Sequence, residues 1–338
     1  HAIEAWLVAE DPAAGWLPSA GSVERFDVPP SVRCDPAVAE GSSVSTEYDS
    51  LLAKVVAHAH DRATAVAVLA RALRSSQVVG LRTNLAMLAA TATEADFVAG
   101  GVTTRYLEDH PEVTAARCPE GEDRIASLVA AVMVDRHGAR LADPVWGFAP
   151  AGWRNVAVRG VRAEWRATDD DEVVQVEVRT DRTGGTQVLV GPWPTHDDQG
   201  ALLPDERVCR DVEVTLDGEV ISLEVDGRRR TLQVTCTAAG LTVAGPAGAA
   251  TWSPAPRFAD HDVAAVGAGP VAPLPGTVLA VHVAEGATVG TGDPLAIIEA
   301  MKMEHVIRAG ATATVTEVRV AVGDRVDAGD LLVLLEAD

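Results

Sequence analysis

Residues 276–300 read GTVLAVHVAEGATVGTGDPLAIIEA, and residues 313–337 read ATVTEVRVAVGDRVDAGDLLVLLEA. This is an ungapped repeat displaced by 37 residues, with 12 of 25 positions identical, among them Gly286/Gly323, Val289/Val326, Gly292/Gly329, Asp293/Asp330, Leu295/Leu332 and Glu299/Glu336. Each copy alternates apolar with other residues, turns at a glycine, and after Gly292-Asp293 or Gly329-Asp330 runs into a second short apolar stretch. Neither half can bury a core alone, but packed face to face they form a pseudo-two-fold β-sandwich. The segment between them, Glu299 to His305, has to turn one half into the next. It is expected at an exposed hairpin tip, with Lys302 at the apex and Met301 and Met303 exposed beside it.

Of 28 basic residues only Lys54 and Lys302 are lysines. Where charge alone is needed this chain uses arginine, so a retained lysine points to an amine that can act as a nucleophile. Methionines on a hairpin tip cost solubility unless something recognises them. Ala300-Met301-Lys302-Met303 resembles the biotinyl-lysine motif of biotin carboxyl carrier domains, and Pro273-Leu274-Pro275-Gly276 is similar to their lead-in. The resemblance covers residues 271–338. It implies biotin joined covalently to Lys302, recognition through Ala300, Met301 and Met303, and biotin protein ligase as a partner. Related lipoyl domains usually carry an acidic residue before the lysine. The Glu304-His305 continuation is closer to methylcrotonyl-type carboxylase subunits.

Residues 1–111 mix strand-like and helical patterns: a strand over His1 to Val8, a helix capped by Asp61, and a short helix from about Thr83-Asn84. HAIEAWLVAEDP, GWLPSAG, VRCDPAVAEGSSVSTEYDSLLAKV and VVGLRTNLAML resemble the C-terminal part of the ATP-grasp biotin carboxylases. This implies that Arg33 is catalytic, an always-charged donor to the oxyanion of deprotonated biotin. Trp6 departs from the family, which usually has a basic residue there. Residues binding ATP and Mg (or Mn) lie upstream in the family, so His1 is expected to continue a longer protein.

In the middle, Ile125, Leu128, Val129, Val132 and Met133 predict a helix over 122–137 stopped by Gly138. From Trp153 to Trp252 the pattern is β, with hairpin turns at Asp217-Gly218 and Asp226-Gly227. A helix followed by many antiparallel strands predicts a barrel closed by, or wrapped around, the helix. The resemblance here is to the domain joining carboxylase and carboxyltransferase subunits, and Trp146, Phe148 and Trp153 are the expected docking residues. Residues 254–270, rich in Pro, Ala and Gly, predict a linker reaching at most about 55–60 Å.

The fold class expected is thus α+β multidomain: biotin carboxylase C-terminal portion (1–111), interaction helix and antiparallel barrel (112–253), linker (254–270) and biotinyl β-sandwich (271–338). A net charge of −21 disfavours nucleic acid and anionic membranes as partners. Four scattered cysteines without C-x-x-C spacing argue against a zinc site and for a reducing cytoplasm, and no metal ligands are expected in this segment. The resemblance implies the α subunit of a hetero-oligomeric acyl-CoA carboxylase of the methylcrotonyl-CoA type. The biotin on Lys302 would then be carboxylated with ATP and bicarbonate and delivered to a carboxyltransferase β subunit that binds the acyl-CoA. Propionyl-, acetyl- and geranyl-CoA carboxylases, and a non-catalytic carrier or scaffold, are the alternatives.

Overall fold

The computed structural model describes residues 1–116, 119–145, 147–148, 160–168, 172–181, 185–194, 205–237, 239–256, 269–301 and 303–337. The main elements of the first part are β1 (Ala2–Val8), β2 (Arg33–Pro36), β3 (Leu51–His58), α1 (Arg62–Ser75) and α2 (Leu85–Thr91). The three strands form an antiparallel sheet in the order β1-β3-β2. Strand alternation turns Ala5, Leu7, Ala53 and Val55 inward and leaves Glu4, Trp6, Lys54 and Asp35 on the outer face. The side chain of Asp61 caps α1, accepting from the Thr64 amide at 2.8 Å, and Leu69, Ala70 and Leu73 pack on the sheet.

The middle part consists of α3 (Gly121–Ala142) and a closed eight-stranded antiparallel barrel. Its strands are β4 (Val161–Ala167), β5 (Val173–Thr180), β6 (Thr186–Val190), β7 (Val208–Asp217), β8 (Val220–Val225), β9 (Arg228–Thr237), β10 (Gly240–Gly245) and β11 (Gly248–Pro254). Pairing of Trp165 with Pro254 closes the ring. The two expected hairpins are present as two-residue loops, Gly218-Glu219 and Asp226-Gly227. Positive φ at both Asp226 (50°) and Gly227 (77°) matches the twist of the flanking strands. The helix shares one core with inward residues of all eight strands, and Trp252 Nε1 donates to Ser127 Oγ at 2.9 Å.

Two expectations are corrected here. Gly138 does not stop α3, which continues to Ala142. A glycine ends a helix by adopting left-handed backbone, and Gly138 is not among the positive-φ residues. The linker also starts too early at 254, because Pro254 is still a barrel strand residue.

The C-terminal part has β12 (Gly276–Val281), β13 (Thr288–Val289), β14 (Pro294–Ala300), β15 (Met303–Arg308), β16 (Ala313–Val318), β17 (Arg325–Val326) and β18 (Val333–Ala337). One sheet runs β15-β14-β12-β17 and the other β13-β16-β18. Each repeat lends its short strand to the other's sheet: β17 pairs with β12, and β13 with β16. The two-fold extends to single hydrogen bonds. Gly286 N–H donates to Val315 C=O and Gly323 N–H to Val278 C=O, both at 2.8 Å, and the two bonds are related by the 37-residue displacement. Val278, Leu295, Ile298, Val315, Leu332 and Val333 fill the space between the sheets.

Candidate functional site

The hairpin of β14 and β15 pairs Ala300 with Met303, and the sequence between those two residues is Met301-Lys302. Lys302 lies outside the described residues. Met301 has a left-handed φ of 49°, uncommon for a side chain of its size. The strand leading into the turn is packed closely from beneath. Ala300 and Ile298 are buried, and Gly276 passes so close to β14 that a Cβ there would lie 2.6 Å from Glu299 O and from Ile298 Cγ2. This close approach explains why the Pro273-Leu274-Pro275-Gly276 segment ends in glycine.

The expectation of two exposed methionines is corrected. Met301 is only 6% exposed and Met303 is partly buried. The Met301 side chain joins a cluster of Leu7, Ala9, Val23, Val44, Leu52 and Ala53 from the N-terminal part, and its N–H donates to Thr46 C=O at 2.8 Å. The β14-β15 hairpin at Met301 therefore sits in a cradle formed by the loop before β3 and the strands beneath it. His305 is drawn in as well: burial lowers its pKa, partly opposed by the carboxylate of Glu10. Glu10 in turn accepts from Ser50 Oγ. The sequence reading named neither Val44 nor Thr46. The available signal was a lone valine in the polar run Gly41-Ser42-Ser43-Val44-Ser45-Thr46.

Arg33 lies in β2 opposite Val56. It is 73% exposed and makes a bidentate pair with Asp35, at 3.0 Å from Nε and 2.8 Å from Nη2. The hydrogen bond from Arg33 holds the Asp35 carboxyl below its ordinary range, with Lys54 adding to the effect. Strand alternation separates Arg33 from the cradle, because its neighbour Cys34 packs against the cluster containing Met301. The structure thus does not bring Arg33 and the tip together. The other lysine has a surface role: Lys54 Nζ lies 4.4 Å from the Trp6 ring centroid and 3.8 Å from Glu4.

Among the docking residues, Phe148 is 77% exposed in the loop after α3, whereas Trp146 and Trp153 lie outside the described residues. Arg140 Nε holds the loop by donating to Gly147 C=O at 2.9 Å. The sequence named no metal ligand. Among the described residues Glu94, Asp96 and His110 bring ligating atoms within 4.8 Å of one another. These groups already have partners: Glu94 caps a helical turn through the Asp96 and Phe97 amides, and His110 pairs with Asp96 and Glu112. No described helix is long and apolar enough to cross a membrane.

The sequence joining the two paired strands carries one primary amine, that of Lys302, the group from which an amide link is made. Residues 4–109 match the biotin carboxylase C-terminal domain, and residues 269–335 match the biotin-requiring enzyme domain. The chain is 28% identical over 324 residues to the mitochondrial methylcrotonoyl-CoA carboxylase subunit alpha of Dictyostelium discoideum, covering 91% of this chain and 45% of that protein. It is 30% identical over 343 residues to the propionyl-CoA carboxylase alpha chain of Ruegeria pomeroyi, covering 91% and 47%. It spans about half the length of the curated relatives it matches. Among solved structures, the biotin carboxylase domain dimer of Hydrogenobacter thermophilus 2-oxoglutarate carboxylase is 37% identical over 33% of this chain and 25% of that one, with a TM-score of 0.33. The chain thus joins a biotin carboxylase C-terminal domain to a biotin-lipoyl domain and is a homologue of the alpha subunits of methylcrotonyl- and propionyl-CoA carboxylases.

Proposed function

We propose that the protein is the biotin-bearing alpha subunit of an acyl-CoA carboxylase acting on 3-methylcrotonyl-CoA, with propionyl-, acetyl- and geranyl-CoA as the competing substrates. The observation that carries this reading is the hairpin whose pairing of Ala300 with Met303 brackets Lys302 in the sequence, set between pseudo-symmetric halves in a chain that also holds a biotin carboxylase C-terminal domain. Amide-linked biotin supplies the ureido nitrogen that carries a carboxyl group. The chain's own residues contribute position and charge. The two sheets hold the tip rigid, the segment after Pro254 tethers the carrier within reach of separate sites, and Arg33 offers a permanently charged, two-pronged donor to an oxyanion. In this reading Asp35 holds the guanidinium until biotin arrives. ATP, Mg (or Mn) and bicarbonate are assigned to residues of a longer protein.

The partners in this reading are a carboxyltransferase beta subunit carrying the acyl-CoA, and biotin protein ligase. This reading assigns the protein to the cytoplasm, supported by the free cysteines Cys34, Cys209 and Cys236 among the described residues. A second reading, a non-catalytic carrier and scaffold, is favoured for these 338 residues alone, since they span about half of each relative. The deciding test is an acyl-CoA panel assayed with full-length alpha chain and beta subunit, beside the mass of the peptide containing Lys302. Turnover with 3-methylcrotonyl-CoA and a biotinyl mass increment are expected. A lipoyl increment, or no carboxylation of any acyl-CoA, would overturn the reading.

A further inference from the structure

The contact between Met301 and the N-terminal part has a consequence for the site itself. Met301 is the residue immediately before Lys302, and its side chain and its amide are both engaged. The side chain packs against Val44, Leu52 and Ala53, and the N–H donates to Thr46 C=O at 2.8 Å. His305, four residues on, has its Nε2 buried without a hydrogen-bond partner. An enzyme that modifies Lys302 by reading its neighbours has to reach these same atoms, and two proteins cannot bury one methionine at once.

We infer that the cradle of Val44, Thr46, Leu52 and Ala53 shields Lys302 from biotin protein ligase, so that biotin is attached only while the carrier tip is undocked. This rests on the reading of Lys302 as the biotinylated residue. The attachment forms one bond, from Lys302 Nζ to the carboxyl carbon of a biotinyl adenylate made by the ligase from biotin and ATP. The bond from that carbon to the adenylate oxygen breaks, AMP leaves, and the amine gives up a proton. None of these steps needs the cradle. Its role is to set the fraction of time in which the tip is accessible. If the tip is free about a tenth of the time, abolishing docking raises the initial rate about tenfold.

The test uses the whole chain, unbiotinylated, with biotin protein ligase, biotin and ATP, following the initial rate by intact mass. Val44→Asp places a carboxylate against Met301, and Val44→Thr, of nearly the same shape, replaces one buried methyl by a hydroxyl. Both should be labelled faster than the parent, the aspartate variant by about tenfold and the threonine variant by less. Hydrogen exchange at the Met301 amide should be slow in the parent and fast in Val44→Asp. Exchange in α1 reports whether the N-terminal part is still folded, and the threonine variant carries the comparison if the aspartate variant unfolds. Equal labelling rates, with Lys302 labelled in all three proteins, would overturn the shielding while leaving the biotin assignment intact. Fast exchange at Met301 in the parent would overturn it too. Absence of label at Lys302 in every protein would overturn the biotin assignment and the shielding with it.

Discussion

The carboxylate of Glu177 and the guanidinium of Arg207 meet at 2.8 Å inside the barrel wall, with their side chains 0% and 1% exposed. Glu177 also accepts from Arg162, Arg179 and the Gly160 amide. Burial pushes its pKa up, but these four donors outweigh burial and hold it far below the usual carboxylate range. Removing one partner of such a pair leaves a buried uncompensated charge, which costs about 3–5 kcal/mol. Glu177→Gln is therefore expected to lower barrel stability by roughly that amount in urea unfolding at pH 7. The double change Glu177→Leu with Arg207→Met should recover part of the loss. The pair also sets a pH dependence. A depressed folded-state pKa gives stability that is present above the unfolded value and is lost as the pH falls toward the folded one. The unfolding midpoint should drop from about pH 5 downward in the parent, and this drop should shrink in Glu177→Gln. An identical acid profile in both would show that Glu177 titrates normally.

The close approach at Gly276 makes a second stability prediction. Any Cβ there meets Glu299 O and Ile298 Cγ2 at 2.6 Å, and both belong to the strand that supports the tip. Gly276→Ala should destabilise the carrier part by about 1–3 kcal/mol, read as earlier loss of hydrogen-exchange protection in β14. Gly286→Ala is a useful contrast. That position has open space, so its cost comes only from a φ of 80°, about 1 kcal/mol.

The repeat was legible in sequence because the two-fold demands the same turn twice, and the matched bonds of Gly286 and Gly323 are that demand met in the backbone. The barrel hairpins were legible for a similar reason: Asp226-Gly227 can adopt positive φ twice in succession, as few pairs can. The cradle was not. Met301 and Val44 are far apart in the chain, and a methionine beside a lone lysine reads the same whether a foreign enzyme or the chain's own N-terminal part covers it. The end of α3 was hidden for another reason. Residues 137–142 of the helix are exposed, so its last turn buries no apolar stripe and the periodicity ends before the helix does.

Lys302→Arg should keep the fold and the charge but carry no biotin, because a guanidinium does not form the amide. Streptavidin blotting of purified protein should be blank, and carboxylation with the beta subunit should be lost. Lys54, held over Trp6, should be unmodified in the parent. Biotin found on Lys54 would show that the wrong lysine was chosen.

Arg33→Ala in the full-length alpha chain should slow ATP-dependent carboxylation of free biotin by about 10²–10³-fold, the usual cost of losing an oxyanion donor. Biotin attachment at Lys302 should be unchanged, since Arg33 lies on the far side of the sheet from the cradle. Asp35→Asn frees the guanidinium of its partner without removing it, so it should retain far more of the activity than Arg33→Ala. Near-parental turnover in Arg33→Ala would return Arg33 to a surface pair with Asp35.

The loop after α3 is expected to dock the beta subunit. Phe148 exposes most of its ring, yet the backbone beside it is fixed. Arg140 Nε donates to Gly147 C=O, the Val145 amide donates to Asp143 Oδ1 at 2.9 Å, and a Cβ on Gly147 would lie 2.7 Å from Asp143 O. A large aromatic ring on a fixed backbone binds at little entropic cost, which is what dominant interface residues require. Replacing Trp146 and Phe148 together by alanine should therefore weaken association with the beta subunit by at least about 2 kcal/mol, roughly thirtyfold in Kd. Acyl-CoA carboxylation should fall with it, while carboxylation of free biotin by the full-length alpha chain should survive. Size-exclusion chromatography of mixed subunits, run beside both half-reaction assays, separates the outcomes. An undiminished complex from a variant with normal circular dichroism would place the docking surface elsewhere on the barrel.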